Sequence, residues 1–193
     1  MAKQTRSSKK PSATPRSRLA PSSSPDKPRL YTLDAFIISG NLSSSFVKKN
    51  PVLSRTIQIR GDQTLEDLHY AIFDAFRRWE EHLYEFHFGG KRLMDPKAVR
   101  YVMPDSFEFE QHEDRPPAGS VDTTTIDSLG LKVGGRFTYW FDFGDDWWHQ
   151  INVEAIEDKT PRGKFPKVIK KIGPNPPQYP PEEDEDDEDE EDE

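Results

Sequence analysis

Three histidines and three aspartates carry most of the reactive chemistry in this chain. His69, His82 and His149 sit among apolar and aromatic neighbours. Asp142, Asp145 and Asp146 crowd one short stretch, Tyr139-Trp140-Phe141-Asp142-Phe143-Gly144-Asp145-Asp146-Trp147-Trp148-His149. Imidazole with carboxylate suits Zn, Mn or Fe, and a catalytic centre needs about three protein ligands plus an open position. One reading of the set is therefore a metal-dependent hydrolase or nuclease using His69, His82 and His149. The other is architectural, with hydrogen-bonded histidines at the ends of a core and Asp145 and Asp146 bonding turn amides. The chain has no phosphate-binding glycine loop, no Gly-x-Ser-x-Gly elbow and no His-Glu-x-x-His helix. It also has no cysteine, which excludes disulfides, thiolate nucleophiles and cysteine-ligated zinc. The leading expectation is a non-enzymatic binding or accessory module with no cofactor. A divalent transition metal enters only under the hydrolase reading.

The aspartate-rich stretch must be positioned by strands. Apolar residues fall on odd positions both before the turn (Phe137, Tyr139, Phe141, Phe143) and after it (Trp147, Ile151, Val153, Ala155), the period of two of half-buried strands. Directly paired residues share a face, so the connecting loop must hold an odd number of residues. A three-residue loop, Gly144 to Asp146, predicts Phe143 opposite Trp147, Phe141 opposite His149, Tyr139 opposite Ile151 and Phe137 opposite Val153. His149 then joins the core face, while Trp140, Asp142 and Trp148 share the other face with Thr138, Gln150 and Asn152. Two large indoles beside a carboxylate are either covered by a loop or tail, or present a recognition surface. Trp140, Asp142, Asp145, Asp146 and Trp148 are thus the candidate ligand-binding residues. The basic segment from Lys164 to Lys171 is the expected partial cover.

The other elements follow from pattern and punctuation. Leu30 to Ile38 reads as a strand, Ser39 to Asn50 as a polar loop, and Pro51 to Arg60 as a second strand with Ile57 and Ile59 inward. Thr64 caps a helix whose apolar stripe is Leu65, Leu68, Ile72, Ala75, Phe76 and Trp79, with Arg77 and Arg78 on the opposite side and His69 near the core edge. Leu83 to Phe88 is a third strand, and Gly89-Gly90 signals a tight hairpin back through Leu93. Asp95 to Thr124 reads as a surface excursion, and Thr125 to Leu131 as one helical turn. The fold class is α+β, a mostly antiparallel sheet with one main helix in a β-grasp-like arrangement, flanked by disordered tails.

Charge is distributed unevenly. Residues 1–29 are a basic, Ser- and Pro-rich segment, and every position from Glu182 to Glu193 is acidic, within a formal net charge of −8. Both ends should be disordered. The basic head either solubilises the chain or makes weak, salt-sensitive contact with nucleic acid or another polyanion. No run is long and apolar enough for a membrane span or a signal peptide, so a cytoplasmic protein is expected. The expected division is 1–29 tail, 30–156 domain, 157–181 Pro- and Lys-rich extension, and 182–193 acidic tail.

Certain motifs resemble a known family. Gly61-Asp62-Gln63-Thr64-Leu65-Glu66-Asp67-Leu68-His69, His82-Leu83-Tyr84-Glu85-Phe86, Gly90-Lys91-Arg92 and above all Tyr139 to His149 are similar to the plasmid pRiA-type ORF-three family. The resemblance runs from about Tyr31 to Ile156, with an echo in Phe165-Pro166 and in Pro176 to Pro180. It implies a fold and a mobile-element passenger, with no biochemical activity to carry over. The resolvase label that some relatives bear has no counterpart here, because the chain shows neither a serine-recombinase pattern nor a helix-turn-helix. Departures from the family pattern are Tyr84 for a second histidine, Leu53 for a tryptophan before the arginine at Arg55, Gly135 for an aspartate, and the lack of a Cys-containing ending. Any metal set that used those His and Cys positions would be incomplete in this chain.

Overall fold

Among the described residues eight strands form one sheet, and alternating apolar residues mark its central strands. The structure, a computed structural model, describes residues 27–110, 114–159 and 161–179. The basic head, residues 27–29 apart, and the acidic tail lie outside the described residues. The strands are β1 (Leu30–Ser39), β2 (Ser54–Arg60), β3 (Tyr84–Phe88), β4 (Val99–Val102), β5 (Gly119–Ser120), β6 (Arg136–Phe141), β7 (Trp147–Glu157) and β8 (Lys167–Ile172). The helices are α1 (Ser44–Lys49), α2 (Leu65–Ala75) and α3 (Pro104–Glu110), with a 3-10 turn at Ile126–Leu129. The sheet order is β5-β4-β3-β6-β7-β1-β2-β8, and β4 pairs with β5 in parallel, so the α+β fold contains a mixed sheet. One face carries Leu33, Ile57, Phe86, Tyr139 and Ile151 against Leu65, Leu68 and Ile72 of α2, forming the core.

Local chemistry explains where α2 begins and ends. The Thr64 hydroxyl accepts from the Asp67 amide at 3.1 Å and the Asp67 carboxylate accepts from the Thr64 amide at 2.9 Å, satisfying two exposed donors of the first turn. The helix stops well before Trp79. Arg77 takes a left-handed φ of 56°, its amide donates to Asp74 O at 3.1 Å, and the Arg78 amide donates to Phe73 O at 3.0 Å. This pair of bonds is the Schellman closure. It reverses the expected sides of the next two residues: Arg78 is only 7 % exposed and Trp79 is 70 % exposed.

The β6–β7 hairpin keeps the expected parity with a different register. Phe141 pairs with Trp147, Tyr139 with His149, Phe137 with Ile151, and Trp140 with Trp148. The loop thus spans Asp142 to Asp146, five residues in place of three. Asp142 and Asp146 both take left-handed φ values, 55° and 58°, which aspartate tolerates better than most residues. Phe143 consequently leaves the strand and stacks on Trp140 at 4.1 Å.

Two connections also differ from expectation. Gly89-Gly90 does not close a tight hairpin, because β3 pairs with β4 across a longer loop that is pinned by the Asp95 carboxylate accepting from the Lys91 and Lys97 amides. The segment after the hairpin does not cover the indoles. It supplies β8, which pairs with β2 at the far edge of the sheet, and then a strap of residues 173–179 that returns over the end of α2.

Candidate functional site

Four loops meet where the hairpin turns: residues 39–43, 76–83, 142–146 and the 173–179 strap. Gly40 lies so close to Trp147 that a Cβ there would overlap the indole, and Asn41 donates to the Asp145 carboxylate at 3.3 Å. The Asp142 amide donates to Leu83 O at 3.0 Å.

The strap is positioned by Arg55, a fully buried guanidinium above the Phe76 ring at 4.5 Å. It donates to Ala75 O at 3.0 Å, Ile172 O at 2.8 Å and the Asn175 side chain, joining the end of α2 to the start of the strap. Gln178 then accepts from the Trp79 amide at 3.0 Å and donates to Glu80 O at 2.8 Å. Tyr179 comes next, with its hydroxyl 2.7 Å from His82 Nε2 and its ring edge-on to Trp79 at 5.7 Å.

Within the turn each aspartate has a separate task. Asp142 Oδ1 accepts from the Gly144 and Asp145 amides at 3.2 and 3.3 Å, and its Oδ2 lies 3.6 Å from His82 Nε2. Asp146 Oδ1 accepts from both indole N–H groups, Trp140 at 2.7 Å and Trp148 at 3.0 Å. The two indoles lie parallel, 4.8 Å apart, and Phe143 extends the stack.

Beneath the turn lies a buried polar cluster. The Arg78 guanidinium sits 3.6 Å over the Trp147 ring. Among the described residues Arg78 Nε and Nη2, Trp147 Nε1, Asp145 Oδ2 and both ring nitrogens of His149 have no well-formed hydrogen bond. The Tyr139 and Trp147 main chains approach the His149 ring without reaching that geometry. Burial, reinforced by the Arg78 charge, pulls His149 down to about 3. Burial likewise pulls Arg78 down to about 10, opposed by Tyr139, Asp142 and Asp145. His69 is bonded to the Tyr139 hydroxyl at 2.7 Å and stacked on Tyr84 at 3.7 Å, and burial pulls it down to about 3.

The sequence-derived candidates therefore divide. Trp140, Trp148 and Asp146 form one bonded unit on the sheet face away from the core. Asp142 turns out of that face toward His82, contrary to the expected sharing, because its left-handed backbone ends the alternation. Asp145 faces Asn41. The proposed metal set does not assemble: His69 and His149 flank Tyr139 inside the core, while His82 stands at the rim with Tyr179. Among the described residues no group of three or more His, Asp or Glu side chains is placed to hold a metal ion.

Sequence reasoning missed Arg78, Trp79 and Tyr179, all redirected by the helix closure or the strap. It also missed a buried Glu85 that accepts from His87 Nε2 at 2.6 Å and from Arg100 at 2.6 and 3.0 Å. Those bonds hold its carboxyl below the usual range against the opposing effect of burial. The alternation Tyr84-Glu85-Phe86-His87-Phe88 does place Glu85 and His87 on one face; the need for partners there was the available signal.

Comparison with known proteins agrees with this fold. The crystal structure of MM3350, a protein of unknown function from Methanosarcina mazei Go1, is similar with a TM-score of 0.58 and 19 % identity, covering 79 % of this chain and 74 % of that one. At that identity the likeness concerns the fold alone. No curated protein matches the chain. The sequence model of the plasmid pRiA4b ORF-3-like proteins matches residues 41–183, spanning the hairpin, β8 and the strap, and the chain belongs to that family.

Proposed function

We propose that this protein is a non-enzymatic binding module, an accessory product of mobile-element origin, whose recognition surface is the hairpin-turn end of the sheet. The observation that carries the reading is Trp79, 70 % exposed and braced edge-on by Tyr179, whose hydroxyl also orients His82 beside Asp142. A large aromatic held rigidly in water at a junction of four loops has the composition of an interface hot spot. Leu83 and Phe143 add exposed apolar surface, and Glu80 and Glu81 give it an acidic rim. Such a surface fits a protein partner with an apolar centre and basic flanks. Asp142, Asp145, Asp146, Trp140 and Trp148 serve here as the rigid support of the turn. The β-grasp-like description belongs to the same reading and rests on α2 crossing the core face.

The hydrolase reading gains nothing from the site. Its histidines are divided between core and rim, and His69 is already engaged by Tyr139. To test the binding module, an aromatic photo-crosslinking residue, which keeps a ring where Trp79 stands, is placed at position 79 of the full chain, or at exposed Val133 beyond the opposite end of β6. Capture of one defined partner from position 79, lost on adding Tyr179→Ala and absent from position 133, supports the proposal. Equal capture from both positions contradicts it.

A further inference from the structure

Independently of the hairpin-turn surface, we infer a second binding site, for an organic phosphate, at the opposite end of the same hairpin. There the sheet face away from the core forms a groove of about 270 Å³ between the start of β6, the end of β3 and the loop that follows β3. Lys91, Arg92 and Arg136 line it, and no carboxylate does. Among the described residues these three side chains make no ion pair. The Asp95 carboxylate, outside the lining, offsets part of the Arg92 charge, and the three cations around this concave surface still give it a positive potential that an anion relieves.

The floor suits the same chemistry. Thr138 and Gln150 pair directly across β6 and β7, placing a hydroxyl and an amide side by side. Gln150 is oriented by donating to Asn152 at 2.9 Å. His87 also lines the groove, with its Nε2 fixed on Glu85. Lys91 and Arg92 are not on a loose loop, and Arg136 is held in β6: the Asp95 carboxylate, accepting from the Lys91 and Lys97 amides at 2.8 and 2.9 Å, pins the loop and is held below the usual carboxylate range by those bonds, with a smaller contribution from the Arg92 and Lys97 charges. Two guanidinium forks, an ammonium and a hydroxyl match the many acceptor oxygens of a phosphate better than a single carboxylate. The volume is several times that of an inorganic ion and close to the lower end of small-ligand pockets. A nucleotide-sized phosphate ester therefore fits, either free or as one unit of a single-stranded nucleic acid.

The test titrates the full chain with a nucleoside monophosphate and with a short oligothymidylate, each in competition with inorganic phosphate. The variants are Arg92→Gln with Arg136→Gln, and Thr138→Asp, which sets a carboxylate on the groove floor. Binding of the monophosphate that falls at least about tenfold in both variants supports the site with a free nucleotide as ligand. Binding of the oligothymidylate alone, with the same losses and a salt dependence reduced by roughly 0.7 per removed phosphate contact, supports it with a nucleic-acid ligand. Thermal melts of Arg92→Gln with Arg136→Gln should match the parent, since both residues are exposed. No binding of either probe at millimolar concentration, or binding that both variants retain, overturns the inference. Neither result bears on capture from position 79.

Discussion

At the scale of single residues, the buried imidazoles make a measurable statement about pH. His69 and His149 are each pulled by burial to about 3, from an ordinary value of 6.5. Both rings are thus neutral in the folded chain where unfolded imidazoles become charged. The unfolded chain binds more protons between those values, so stability is complete above about pH 6.5 and declines as pH is lowered through that window. The steepest loss is roughly 1.4 kcal/mol per pH unit for each ring. Replacing His149 by Phe removes one of the two contributions, together with two unpaired nitrogens. Denaturant melts between about pH 5 and 6 should then show about half the parental pH slope from these rings. An unchanged slope would mean that His149 is already charged or solvated in the folded protein. Asp146 illustrates a different residue-scale lesson, since the sequence marked it as a ligand-binding candidate and the fold uses its carboxylate to hold two indoles.

At the scale of elements, parity was legible in the hairpin and loop length was not. Odd residues paired with odd because the period of a strand is fixed, so Tyr139 and His149 were correctly placed on the core face. Counting the loop required knowing that Asp142 and Asp146 would take left-handed backbone, a choice stabilised by amides and indoles inside the turn. The end of α2 escaped for a related reason: Arg77 carries no glycine-like signal, and its left-handed conformation is secured by the closure of the helix. β8 was hidden by its composition. Lys167–Ile172 is a lysine-rich edge strand, and exposed lysines blunt the edge of a sheet while thinning its apolar alternation. The strap that follows β8 depends on Arg55. Arg55→Met should leave the carbonyls of Ala75 and Ile172 without their donor and cost on the order of 3 kcal/mol. Protease cleavage within residues 173–179 should accelerate in that variant. Parental stability and parental cleavage together would show that the strap is held by something else.

At the scale of the whole molecule, one hairpin carries two chemically distinct ends. The turn end is aromatic with an acidic rim; the other end opens onto a groove lined by Lys91, Arg92 and Arg136. The stacked Trp140 and Trp148 lie between them, with Trp148 only 2 % exposed, so this face is rigid through its middle. Among the described residues no helix is long and apolar enough to cross a membrane. The central claim is that Trp79 is held in water for recognition and not for folding. Its most direct test compares stability with partner capture in the full-length Trp79→Ala chain. Truncating so exposed a residue should change stability by no more than about 0.5 kcal/mol, while loss of a hot-spot aromatic should weaken binding to the partner captured from position 79 by about 2 kcal/mol or more, roughly thirtyfold. A chain that melts markedly earlier yet binds that partner as tightly as the parent would contradict the account.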